Sequence, residues 1–123
     1  MAHMMSDYSK FNAFCAALIG TTYVMQWGGS HVWKVGGKVF AVGGWNDLGV
    51  GVSFKVSEIA FEYLRTQPGF RPAPYMASRG LSWIQSYSAA DVPDADIRHY
   101  VRASYDTVAA GLPRVQRAAL RAG

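Results

Sequence analysis

Cationic and aromatic side chains are the chemistry this chain offers in quantity. Lys34, Lys38, Lys55, Arg71 and Arg79 fall within one stretch, with Tyr75 and Trp83 interleaved. Lysine and arginine neutralise phosphates, and a ring supports a sugar or an unstacked base. Between residues 30 and 90 six cations (these five and Arg65) oppose Asp47, Glu58 and Glu62, so much of the net charge of +4 lies there. A second basic group, Arg114, Arg117 and Arg121, has no acid beside it. The same charges also serve to keep a surface solvated. Core packing is the stronger reading of Trp83, whereas Tyr75 suits the core and a contact surface equally well.

Other site chemistries find few residues. Beyond His3, the chain holds His31, His99 and the single Cys15, with no ligand-like spacing, so no metal or cofactor is expected. Cys15 shares an apolar helical stripe with Phe11, Phe14, Leu18 and Ile19 and reads as a buried, inert thiol. His99 falls between stripe positions of its helix and reads as a surface residue. Four of the eight acids gather at the start or surface of the C-terminal helix, where capping and solvation account for them. No Gly-x-Ser-x-Gly elbow is present, and Gly28-Gly29, Gly36-Gly37 and Gly43-Gly44 lack the strand-to-helix setting of a phosphate loop. An enzyme is not expected.

The elements that position the cations follow from periodicity. The Phe11–Ile19 stripe predicts a first helix, with Ser6 as its cap, Asp7 in its first turn and Gly20 as its stop. His31 to Val35, Gly36-Gly37 and Lys38 to Val42 spell a two-residue hairpin. That register sets Trp33 against Phe40 on the core side and Lys34 against Val39 on the other. From Gly49 to Val56, Val50, Val52, Phe54 and Val56 take one face, while Gly51, Ser53 and Lys55 take an open or half-open one. Ser57 caps a short helix that ends at Gln67-Pro68-Gly69. Phe70 to Tyr75 is extended because of Pro72 and Pro74. Leu81 to Ser86 reads as a strand. Pro93 opens the main C-terminal helix, with Ile97, Tyr100, Val101, Tyr105 and Val108 inward. A short basic helix follows Gly111 and Pro113.

At 123 residues, half of them hydrophobic, the chain suits one domain over residues 5–123. Met-Ala-His-Met at 1–4 reads as a cloning remnant and is set aside. A lone cysteine without an export signal points to a cytoplasmic protein. No apolar run is long enough for a membrane span.

The run from Trp27 onward resembles the MmcQ/YjbR family of small bacterial proteins. The resemblance is carried by His31-Val32-Trp33-Lys34-Val35-Gly36-Gly37-Lys38-Val39-Phe40, by Val52-Ser53-Phe54-Lys55, and by Pro68-Gly69-Phe70-Arg71-Pro72-Ala73-Pro74-Tyr75. Trp83 and Pro93-Asp94 follow in the family's order. It implies a CyaY-like α+β fold, two layers with an antiparallel β-sheet and helices packed on one face. It also implies the family's label, a predicted DNA-binding protein with a double-wing arrangement. The residues it carries over are Lys34, Lys38, Lys55, Arg71 and Arg79. Where many relatives have Lys, His or Asn between the positions of Tyr75 and Trp83, this chain has Ala77-Ser78-Arg79-Gly80, which thins the charge there. Frataxin-like iron binding needs an acidic ridge, and the first helix offers one acid, Asp7.

The expected partner is therefore double-stranded DNA, held weakly and without sequence preference by the basic sheet edge and the Gly36-Gly37 hairpin as a wing. The alternatives are a protein-interaction module, such as a homodimer using aromatic surface around Trp45, Tyr75 and Trp83, and a small-ligand pocket between the sheet and the Pro72–Pro74 loop.

Overall fold

The computed structural model describes residues 3–5, 7–44, 51–74, 76 and 80–122. Helix α1 (Ser9–Ala16) precedes strands β1 (Thr21–Gln26), β2 (Ser30–Val35), β3 (Lys38–Gly43) and β4 (Val52–Lys55). Helix α2 (Glu58–Leu64) leads to β5 (Phe70–Pro72) and β6 (Trp83–Ser86), followed by α3 (Asp94–Ala110) and α4 (Arg114–Ala122). The strands form one antiparallel sheet in the order β1-β2-β3-β4-β6-β5. This is the α+β architecture expected.

Register gives each face of the sheet a continuous row of side chains. Tyr23, Trp33, Ala41, Phe54, Ile84 and Pro72 lie abreast on one face. Phe11 and Cys15 of α1, Leu64 of α2, and Ile97, Val101, Tyr105 and Val108 of α3 share one buried core with that face. Phe54 stacks on Tyr100 at 5.3 Å, and Phe40 meets Tyr105 edge-on at 5.4 Å. The opposite face carries Val24, Val32, Val42, Ser53, Gln85 and Arg71 in line.

Several expectations need correction. The Gly36-Gly37 turn forms with both residues at positive φ (57° and 79°), as a type I′ hairpin requires. Lys34 does pair with Val39, but Trp33 pairs with Ala41, because a β-bulge leaves Phe40 as the extra residue. Both rings still reach the core. Ser53 is buried rather than open: it accepts from Gln85 Nε2 at 3.2 Å, and Gln85 Oε1 accepts from Arg71 Nε at 2.9 Å. A polar row that satisfies itself can be buried, so alternation alone misjudged that face.

The N-terminal segment set aside as a remnant also takes part in the packing. Met4 and Met5 are buried, and Asp94 accepts from the Met4 amide at 2.9 Å. Helix α1 starts after Tyr8, in the left-handed region, with the Asp7 carboxylate accepting from the Ser9 amide; Ser6, the expected cap, lies outside the described residues. The helix stops at Ala16, which leaves Ile19 in a turn and exposed rather than on the inward stripe. Ser57 caps α2 as expected, accepting from the Ala60 amide at 3.1 Å.

Candidate functional site

The cations converge where the sheet meets the second half of α3. A cleft of about 360 Å³ there has Lys38, Lys55 and Trp83 on its sheet side and Thr107 and Gly111 on its helix side. The register explains the grouping. Lys55 stands opposite Trp83 across β4 and β6, and Lys34 opposite Val39 across β2 and β3. By alternation Lys34 and Lys55 both point away from the Trp33–Phe54 row, but Lys55, the last residue of β4, still reaches the cleft beside α3. Lys38 and Lys55 are exposed and Lys34 is half-buried. Among the described residues, no acid forms an ion pair with any of the three. Trp83 is buried, so it walls the cleft through its packing.

A buried hydroxyl that sequence reading missed holds this end together. Ser104 of α3 donates to the Phe40 carbonyl at 2.7 Å and accepts from the Lys55 amide at 3.0 Å. It therefore satisfies the bulged residue of β3 and the last residue of β4 at once. The signal was present. Ser104 falls on the inward stripe of α3, three residues after Val101 and four before Val108, where a polar side chain needs a buried partner.

Helix α4 adds the second basic group. It lies across two turns, at Gly36 and Gly20, whose positive φ (57° and 76°) favours glycine. A Cβ on Gly36 would come within 2.6 Å of Leu112 Cδ1 and 3.2 Å of Gln116 Oε1, and one on Gly20 would collide with Leu120. Gln116 and Leu120, one helical turn apart on α4, face these two turns, and Leu112 meets Gly36 from the connection just before the helix. Arg114 and Arg121 remain exposed. Arg117 turns inward: its Nε is buried with no hydrogen-bond partner among the described residues, beside a groove of about 420 Å³ lined by Ile19 and Leu120.

The remaining predicted residues are not part of this end. Arg71 lies on edge strand β5, tied to Gln85 and over the Tyr87 ring at 5.7 Å. Tyr75 and Arg79 lie outside the described residues, as does Trp45. The aromatic surface expected around Trp45, Tyr75 and Trp83 loses Trp83, which is buried. Burial pushes the Cys15 thiol well above its ordinary range, in keeping with an inert core residue. His31 is held locally, with the Tyr23 hydroxyl 2.8 Å and the Asn12 amide 3.3 Å from its Nδ1. Among the described residues, no helix is long and apolar enough to cross a membrane.

Comparison with known proteins places this arrangement. The family model described as YjbR matches residues 16–107, from the end of α1 through most of α3. The chain belongs to the YjbR family. The crystal structure of Deinococcus radiodurans protein DR2400, which carries the family-model domain DUF419, is similar in fold, with a TM-score of 0.79 at 20% identity. That match covers 98% of this chain and 91% of that one, so this YjbR protein shares its fold from end to end. No curated protein matches. The YjbR match ends before α4, so the docked basic helix lies beyond the part the family model describes.

Proposed function

We propose that this YjbR protein is a binding module rather than an enzyme, and that it contacts duplex DNA weakly and with little sequence preference. The observation that carries the reading is the cleft where the exposed Lys38 and Lys55 meet beside α3, with no acid paired to either among the described residues. A glycine-tipped hairpin with cations on both strands is suited to lie along a phosphate backbone. The family label of a double-wing DNA-binding protein points the same way. Few base-edge donors stand with these cations, so affinity would come from phosphates, which position a protein without reading sequence.

Fluorescence anisotropy of a labelled random-sequence duplex, titrated at several salt concentrations, tests the proposal. The expected dissociation constant is about 10⁻⁴ to 10⁻⁶ M at physiological salt, weakening by roughly 0.9 log unit per log unit of salt for each phosphate neutralised. Changing Lys34→Glu with Lys55→Glu, or Arg114→Glu with Arg121→Glu, lowers the salt slope by about 2. No binding at low salt overturns the reading. Binding that survives both pairs of changes moves it to another surface.

A further inference from the structure

The sheet is open at β1. Among the described residues this strand pairs with β2 alone, and its outer edge is one end of the sheet. Nine large hydrophobic side chains are exposed among the described residues, and five of them (Ile19, Tyr23, Val24, Met25 and Trp27) fall on or beside this one strand. Met25 is 57% exposed and Val24 37%. Monomeric proteins protect such an edge with lysine, proline, a bulge or a short strand. This strand is six residues long and has none of these; its pairing with β2 is unbroken. From Phe11 to Trp33 the chain holds no Asp, Glu, Lys or Arg, in a protein whose net charge is +4. The edge is thus a neutral, apolar strip where a copy of the same cationic chain meets no local charge repulsion.

The strand is also self-complementary. Reading outward from Val24, the flanking residues are Tyr23 and Met25, then Thr22 and Gln26. A two-fold antiparallel pairing centred on Val24 places Val24 against its own copy, Tyr23 against Met25, and Thr22 against Gln26. Cross-strand partners share a face, so every apolar residue meets an apolar one and every polar residue a polar one. The ring–thioether contact is itself favourable. Isologous two-fold contacts require a surface that matches itself in this way.

We infer that two copies of this protein associate through β1, edge to edge, to form one continuous twelve-stranded antiparallel sheet centred on Val24. The residues involved are separate from the cations of the DNA reading, so either can fail alone. A single strand pair with flanking Trp27 and Ile19 is a small interface, and the dimer is expected in the micromolar range, at the transient end of known assemblies.

Sedimentation velocity on the full chain across the micromolar range reads the association. The mass is expected to rise with concentration toward twice 13.4 kDa. Val24→Lys puts two like charges against each other at the two-fold axis, and it is expected to hold the protein at monomer mass with an unchanged circular dichroism spectrum. Val24→Cys tests the register. Directly opposed residues are about 4.5–5.5 Å apart between Cα atoms, within disulfide reach, so mild oxidation should cross-link this variant to its copy. Thr22→Cys is the control, because in this register its sulfur lies about 13 Å along the strands from its own copy. A wild-type protein that stays monomeric throughout overturns the inference. So does a dimer that survives Val24→Lys, or a Val24→Cys variant that cross-links no faster than Thr22→Cys.

Discussion

The two edges of the sheet follow opposite rules. β5 has three residues, ends in Pro72, and is half-buried along its length. Its Arg71 is bound to Gln85, which in turn bonds to Ser53 two strands in from the edge. β1 has six residues and no charge or proline, and four of its side chains are exposed. Proline and a short length close the β5 edge to further strands. Nothing comparable closes β1. An edge is a hydrogen-bonding template by default, and whether it stays unpaired depends on a few residues rather than on the sheet. In this molecule the same six-stranded sheet therefore has one finished end and one end that can be extended.

The contrast can be broken at its anchored side first. Gln85→Ala removes the link between Arg71 and Ser53 and leaves a cavity, and it should cost about 3 kcal/mol in denaturant unfolding. Amide exchange should accelerate in β5 and β6 and stay unchanged in β1. Uniform exchange along the sheet would show that β5 is not held by this row. Ser104→Ala is the reference in the interior, where it strands the Phe40 carbonyl and the Lys55 amide. Its expected cost is about 2 kcal/mol, with a matching loss of protection at Lys55.

Cys15 sharpens the comparison through pH, because it is buried beneath the β1 side of the sheet, where Thr21 Oγ1 donates to its carbonyl at 2.9 Å. Its thiol is raised by burial, so the unfolded chain loses that proton first as pH rises. Its share of stability is therefore complete below the unfolded thiol range and is lost as pH climbs above about 9. The melting temperature should fall in that window, and less steeply in Cys15→Ala. Thiol reagents at neutral pH should leave the folded protein unlabelled. The smallest effect is expected at the open edge. Val24→Lys should change monomer stability by no more than about 0.5 kcal/mol, because the side chain is already in contact with water. A larger loss, measured by urea unfolding at low protein concentration, would mean that β1 is packed in the monomer.

Local patterns in the chain carried most of the architecture. The hairpin was legible because Gly36-Gly37 admits the positive φ that a two-residue turn demands. The ends of α2 were legible from Ser57 and Gln67-Pro68-Gly69, and α3 from Pro93 and its apolar stripe. Three of the seven candidate site residues, Lys38, Lys55 and Trp83, meet in one cleft, and Lys34 joins Lys55 on its face of the sheet. Arg71 stands apart, because its role is set by Gln85, fourteen residues away in sequence. The bulge at Phe40 was not legible, since a bulge is stabilised by a partner from elsewhere, here Ser104, sixty-four residues on.

Turn chemistry, periodicity and charge balance are local properties, and they determined which segments became helices and strands and which of them bear cations. Three matters required long-range contacts: that α4 lies across Gly20 and Gly36, that Ser53 and Gln85 are buried, and that β1 ends the sheet. Each depends on what a residue meets after the chain has turned back on itself. A strand of neutral apolar residues reads the same whether it lies between two neighbours or has one, and its place in the strand order is what leaves this one exposed.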